Sequence, residues 1–160
     1  MQTKQELIEL LQLEEHVEGG WYAQSYKSPY QVTDKNENIR PSATSIYFML
    51  DENNFSALHR LQADEIWYFH GGSTFTVYAI DLSGVAHEYR LGLNVQAGEV
   101  PQVVIPNGWI FGSFVENGFG LVGCAVSPGF DYHDFELLAA EELLAAYPQH
   151  ETMIKKLTRI

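Results

Sequence analysis

A histidine and a glutamate near the middle of the chain, His59 and Glu65, have the clearest potential for chemistry. The three residues before Glu65 can form a tight turn, which would bring the two side chains together. A neighbouring imidazole and carboxylate can share a proton, hold a water molecule or bind a metal ion weakly. The structural alternative stays open, because a single histidine is often a satisfied core residue and Glu65 could form a salt bridge with Arg60 or Arg90.

The strand predicted at 65–69 indicates what surrounds Glu65. Side chains alternate between the two faces of a strand, so Glu65, Trp67 and Phe69 share one face. If that face is the interior, the carboxylate needs partners or takes up a proton, because burial raises its pKa. Such a group is a candidate general acid or base. We therefore predict that His59 and Glu65 point into one cavity, with Trp67 and Phe69 beneath them.

Other reactive side chains have less support from their surroundings. Cys124 lies inside an apolar strand, which is typical of an inert core thiol. The glycine pairs at 19–20 and 71–72 lack the phosphate-loop pattern and are predicted to be turns. Four further histidines have no companion at ligand spacing and are expected at the surface: His16, His87, His133 and His150.

Short strands separated by turn residues would position the candidate site. This spacing favours an antiparallel sandwich or barrel. A first strand is predicted at 21–27, and the polar stretch 28–41, with two prolines, is predicted to be a loop. The remaining strands are predicted at 43–50, 57–61, 65–69, 74–80, 85–91, 102–105, 110–115 and 119–126.

Helices are predicted on both sides of the strand region. Thr3 and Glu6 form a capping-box pair at the start of a helix over 3–13. After 128–129 the apolar spacing becomes helical again, with Asp134 as a plausible N-cap and a second short helix from Pro148.

Composition limits the class of protein and its partners. The 160 residues favour one domain, and 46% hydrophobic residues can form a full core. A net charge of −12 disfavours binding to nucleic acid or to an anionic membrane. The single cysteine and the absence of an apolar leader or span predict a cytoplasmic protein that does not enter a membrane.

The spacing of these residues resembles the cupin superfamily. Its first motif of two histidines, a glutamate and a glycine is matched by His59, Leu61, Glu65 and Gly72, with Leu61 in place of the second histidine. Its second motif is matched by Pro106, Gly108 and Phe111, with Phe111 in place of a histidine. The resemblance therefore implies a cupin barrel in which two metal ligands are replaced by apolar residues.

A tighter resemblance, to a family of small single-domain cupins of unknown function, extends over nearly the whole chain. It includes the segments at 18–22, 44–48, 58–60, 63–67, 69–71, 105–106, 108–109, 121–124 and 127–131. It implies a mainly β fold, the double-stranded β-helix or jelly-roll barrel of cupins, in one domain over 1–160. The barrel core would cover about 21–130, with helices at 3–13 and 134–157. A homodimer and kinship with metal-independent sugar-nucleotide epimerases are also implied.

Three functions are consistent with this resemblance. The first is a metal-independent epimerase or isomerase of a sugar-like metabolite, with His59 as base and Glu65 polarising it, although the epimerases usually carry a basic residue at the position of Glu65. The second is a non-catalytic small-metabolite binding protein, and the third is a cupin enzyme holding a divalent metal weakly at His59 and Glu65. No tightly bound cofactor is expected. The residues predicted to contact the ligand are Tyr47, Trp67, Phe69, Gln102, Trp109 and Phe111.

Overall fold

A computed structural model describes residues 2–159 of the protein and shows a mainly antiparallel β architecture. The predicted fold class is confirmed, and most predicted strand bounds agree within one or two residues. The strands are β1 (Glu14–Glu15), β2 (Trp21–Lys27), β3 (Gln31–Thr33), β4 (Ile39–Pro41), β5 (Thr44–Asp51), β6 (Phe55–Arg60), β7 (Asp64–Gly72), β8 (Phe75–Ile80), β9 (Ala86–Leu91), β10 (Gln102–Ile105), β11 (Ile110–Val115), β12 (Phe119–Ser127) and β13 (Glu136–Leu137).

Two sheets form the barrel. The first has the strand order β1-β2-β5-β12-β7-β10, and the second has the order β13-β6-β11-β8-β9. Strands that are distant in sequence are neighbours in both sheets, as a jelly roll requires. The main core lies between the sheets and includes Phe48, Trp67, Phe75, Phe111 and Val122.

The register of the first sheet determines which side chains face the interior. Opposed residues of an antiparallel pair point to the same face. Glu65 is opposite Val126, which is opposite Thr44 on the next strand. Two residues away along each strand, four opposed side chains also face the interior: Trp67, Cys124, Ile46 and Gln24.

The segment predicted to be a loop at 28–41 contains a small hairpin. Val32 of β3 is paired with Arg40 of β4, and the two strands form a separate two-stranded sheet. Strand character was missed there because polar residues and prolines obscure the alternation in so short a pair. The hairpin matters to the site because Arg40 contacts the segment that follows β12.

The helices lie outside the barrel and are shorter than predicted. Helix α1 (Lys4–Leu10) has the predicted capping box of Thr3 and Glu6. Helices α2 (Ala140–Ala146) and α3 (Glu151–Lys156) cover the outer face of the second sheet through Leu143, Ile154 and Leu157. Each such fully buried side chain stabilises the fold by about 1.5–3 kcal/mol. Among residues 2–159, no helix is both long and apolar enough to cross a membrane.

The prediction that Asp134 caps a helix is wrong. Helix α2 begins only at Ala140, and Asp134 lies in a short 3₁₀ turn, Tyr132–Asp134. Its carboxylate accepts two hydrogen bonds from the Arg40 guanidinium, at 2.8 and 2.9 Å. The tertiary ion pair therefore replaces the local capping role that the sequence suggested.

Candidate functional site

A cavity of about 190 Å³ opens between the two sheets. It contains both residues on which the sequence prediction concentrated, His59 and Glu65, together with further titratable and aromatic groups. The lining consists of His16, Glu18, Tyr22, Gln24, Thr44, Ile46, His59, Leu61, Glu65, Cys124, Val126, Phe130, Tyr132 and Phe135.

Glu18 enters the cavity from a tight turn between β1 and β2. Gly19 and Gly20 have φ values of +111° and +78°, a backbone region that side chains with a Cβ rarely adopt. The amide of Ala57 on β6 donates to the carbonyl oxygen of Glu18 at 2.8 Å, and Arg159 donates to the same oxygen. The turn is therefore fixed to the strand that carries His59.

His59 and Glu18 lie in contact inside the cavity. The Nδ1 atom of His59 lies 2.7 Å from the carbonyl oxygen of Ala57, which can only accept, so Nδ1 carries a proton. Its Nε2 atom lies 3.1 Å from Oε2 of Glu18. In the neutral imidazole Nε2 carries a lone pair, and this lone pair is the basic atom of the ring.

Burial determines the protonation of both groups. It lowers the pKa of His59 to about 4, against a smaller opposing effect of the hydrogen bond to Ala57. Burial also raises the pKa of Glu18, although His16 and Arg159 oppose the rise. Both shifts favour the uncharged forms, a protonated Glu18 beside a neutral His59. The lone pair on Nε2 can take a proton from a ligand, and the low pKa of His59 favours its return.

His16 lies on the other side of Glu18 and is not the surface residue that the sequence suggested. Its Nδ1 atom accepts a hydrogen bond from the amide of Glu18 at 3.1 Å and lies 3.9 Å from Oε1 of Glu18. The ring packs edge-on against Tyr22, with centroids 4.6 Å apart. Burial lowers the pKa of His16, so a neutral ring is favoured here too.

Glu65 is the second acidic group in the cavity. It is only 7% exposed, and its Oε2 atom has no hydrogen-bond partner among the described residues. Burial raises the pKa of Glu65 to about 8, and the nearby Glu18 adds to the rise. The alternative salt bridges are not formed, because Arg60 pairs with Glu136 and Arg90 with Glu99.

A short segment after β12 brings three aromatic residues, Phe130, Tyr132 and Phe135, to the cavity. The amide of Phe130 donates to the Thr44 hydroxyl at 2.9 Å, and the Arg40–Asp134 ion pair lies at the middle of the segment. Strand β13 then pairs with β6. The segment is therefore fixed to both sheets.

The residues predicted to contact the ligand do not line this cavity. Tyr47 is opposite Gly123 and beside His70 on the outer face of the first sheet, while Gln102 is opposite Tyr68 on the edge strand. Trp109 stacks on His87 at 4.8 Å. Three predicted residues belong to the core instead: Trp67 and Phe111 are buried in it, and Phe69 packs against it.

The physical reason for these differences is the direction of the side chains. A one-residue step along a strand reverses the face, so Ile46 enters the cavity where Tyr47 was expected. Trp67 is 1% exposed, and its ring packs against Phe48 and Phe75. The space beneath Glu65 is therefore part of the hydrophobic core.

The donor atoms do not fit the four-ligand metal site of the wider superfamily. Leu61 presents an aliphatic chain to the cavity, and the ring of Phe111 packs 4.2 Å from that of His59. Nδ1 of His59 is held by the carbonyl oxygen of Ala57, and Nε2 faces the Glu18 carboxyl group. Within residues 2–159, no group of three or more histidine, cysteine or acidic side chains is arranged to hold a metal ion.

We predict that the purified protein carries well below one equivalent of zinc, iron or manganese per chain. A chelator should barely change its melting temperature, because metal bound only to the folded state would stabilise it. Elemental analysis and thermal unfolding with and without chelator test this. Near-stoichiometric metal that is lost in a His59→Gln variant would contradict it.

Sequence comparison shows the family of the chain. The family model Cupin_5, described as "Cupin superfamily (DUF985)", matches residues 5–138. The chain belongs to this cupin family. It is also 30% identical to the uncharacterized protein YML079W of Saccharomyces cerevisiae, over 88% of this chain and 77% of that protein.

Solved structures of cupins agree with the fold. A hypothetical protein from Leishmania major is 36% identical, with a TM-score of 0.94 over 99% of this chain and 100% of that one. Protein SO0799 from Shewanella oneidensis is 49% identical, with a TM-score of 0.92 over 99% of each chain. Oxalate decarboxylase from Bacillus subtilis has a TM-score of 0.57 at 16% identity, over 90% of this chain and 37% of the enzyme, and shares the fold alone.

Sequence reasoning missed Glu18 and His16 as members of the site. Glu18 meets His59 from a distant part of the chain, and His16 lies beside Glu18, so no spacing around His59 reveals them. The available signal was an acidic residue directly before Gly19 and Gly20, where a left-handed turn can present a side chain inward.

Proposed function

We propose that this cupin binds a small sugar-like metabolite inside the barrel and transfers a proton on it without a metal, as an isomerase or epimerase. The observation that carries the proposal is the His59–Glu18 pair, at 3.1 Å, in one cavity with the buried Glu65. A site with a proton acceptor and a separate proton donor in a low-dielectric cavity suits general acid–base catalysis.

The two acidic groups have different roles in this reaction. Nε2 of His59 takes a proton from a carbon next to a carbonyl group, and His59 becomes imidazolium beside Glu18. Glu65, protonated near neutral pH, gives its proton to the carbonyl oxygen, so the intermediate is a neutral enol. Return of one proton to carbon and one to Glu65 completes the isomerisation and restores both groups.

The size and lining of the cavity support a small polar ligand. Its volume of about 190 Å³ is below the roughly 300–1,000 Å³ of drug-sized sites. Gln24 and Thr44 supply uncharged polar groups, while Ile46, Leu61 and Val126 supply apolar surface. A monosaccharide-sized molecule, with hydroxyl groups and an apolar ring face, would match both.

Exchange with solvent deuterium tests the proposal. Small aldoses and ketoses are incubated with the protein in D₂O, and loss of the C–H signal next to the carbonyl is followed by proton NMR. We expect enzyme-dependent exchange with at least one compound, because proton transfer exposes the abstracted proton to solvent. Absence of exchange from every compound at high protein concentration would contradict the proposal.

The alternative is a non-catalytic binding protein that uses the same cavity, which is favoured by the apolar and aromatic lining. It predicts that a sugar raises the melting temperature but keeps its C–H protons. Measuring both quantities on the same compounds separates binding from catalysis.

We also propose a cytoplasmic homodimer. Strand β1 covers only Trp21 and Tyr22 of β2, which leaves the rest of that strand without a neighbour on this side among the described residues. A second copy would cover that edge together with the exposed Tyr26 and Tyr30. Light scattering should give twice the 18.1 kDa of the chain, and a monomer mass at micromolar concentration would contradict it.

A further inference from the structure

Three aromatic rings from the segment after β12 line the cavity together. Phe130 and Tyr132 have ring centroids 4.9 Å apart at an interplanar angle of 82°. Phe135 lies 6.3 Å from each of them, at 63° and 74°. We call these three side chains the aromatic cage. The π faces of these rings therefore point in different directions, and an aromatic face attracts organic cations.

Acidic groups lie in the same cavity as the cage. Glu18 and Glu65 both belong to the lining, and Oε2 of Glu65 is buried without a hydrogen-bond partner among the described residues. A buried acceptor without a partner is costly unless a ligand or water supplies the missing hydrogen bond. An N–H donor from a ligand would satisfy it.

No lysine or arginine of residues 2–159 belongs to the cavity lining. Arg40 is engaged by Asp134, and Arg159 donates to the carbonyl oxygens of Glu18 and Phe55. Apart from the histidines, the lining therefore has no side chain that could hold an anion. A cation would find both π faces and carboxyl oxygens.

We propose that the natural ligand carries a small ammonium group, which binds between the aromatic cage and the carboxyl groups of Glu18 and Glu65. This inference rests on the binding half of the proposed function and specifies its ligand class as an amino-substituted metabolite. An ammonium that replaces the proton on one carboxyl group gains a charge-assisted hydrogen bond, and the cage adds cation–π attraction. The net charge of −12 raises the local concentration of cations around the protein.

A pair of probes with nearly equal shape tests the role of charge. Choline carries a quaternary ammonium group, and 3,3-dimethylbutan-1-ol replaces its nitrogen with carbon. We expect choline to bind at least about tenfold more tightly in calorimetric titration, because cation–π attraction in a desolvated site is of this size. Glucosamine and glucose form a second pair, and glucosamine should bind more tightly.

Two variants locate the effect. Glu65→Gln keeps the shape but removes the carboxyl group that can give up its proton to become the partner of the ammonium, and Phe135→Leu removes one wall of the cage. Both should reduce the ratio of choline to alcohol affinity toward one, while Glu88→Gln on the exposed face of β9 should leave it unchanged. The wild-type probe series remains decisive if a variant fails to fold.

Equal affinity for each charged and neutral probe, or no binding by any of the four up to millimolar concentrations, would overturn the inference. Deuterium exchange on a neutral sugar, without preference for either cation, would retain the proposed function and reject the ammonium site. Selective cation binding without exchange on any compound would support the ammonium site and reject the proposed catalysis. The two failures are thus distinguishable.

Discussion

Replacing His59 with glutamine is expected to slow deuterium exchange on a responsive sugar by about 10²–10⁴-fold, the usual contribution of a general acid–base group. Glutamine retains hydrogen-bonding ability near Glu18 and Ala57 but cannot accept the ligand's proton at neutral pH. The fold should survive, so the melting temperature should change much less than the rate. NMR exchange rates and thermal unfolding measure both effects.

A comparison with two further variants makes this test specific. His87→Gln alters a histidine that pairs with Asp81 away from the cavity, and it should exchange deuterium at the wild-type rate. Glu18→Gln should resemble His59→Gln, and the double variant should lose little more, because residues that act as one unit have non-additive effects. Exchange at the wild-type rate in His59→Gln would assign the base to another residue.

Replacing Gly19 with alanine is expected to lower the free energy of unfolding by roughly 2–4 kcal/mol, through backbone strain and a steric clash. Gly19 has a φ of +111°, and a Cβ there would collide with the carbonyl oxygen of Phe55. Relief of the clash would displace the turn that carries Glu18. Urea-induced unfolding measures the loss of stability, and the exchange assay measures the effect on the site.

Gly98 provides a matched control for this change. It also has a positive φ, +85°, but a Cβ at this position meets no neighbouring atom. Gly98→Ala should therefore cost only about 1 kcal/mol, the strain of the left-handed conformation itself. Equal losses in the two variants would show that the contact with Phe55 has no role in fixing the turn.

The strands of the barrel could be predicted because their signals are local. Alternation correctly placed Glu65 and Trp67 on the inward face, and turn residues located most strand ends. The capping box at Thr3 and Glu6 was equally local and was confirmed. The β3–β4 hairpin and the interaction of Asp134 with Arg40 were missed because short polar strands and ion pairs between distant residues leave little periodic signal.

The sequence by itself determined the jelly-roll family and two of the titratable residues that line the cavity, His59 and Glu65. Only the tertiary structure decided that His59 pairs with Glu18, that His16 joins them, and that Phe130, Tyr132 and Phe135 replace the predicted aromatic walls. The physical reason is that a spacing of residues encodes the face of a strand, whereas the partner across a cavity depends on how separate turns pack. The pKa values follow the same rule, because burial and neighbouring charges arise only when the chain is folded.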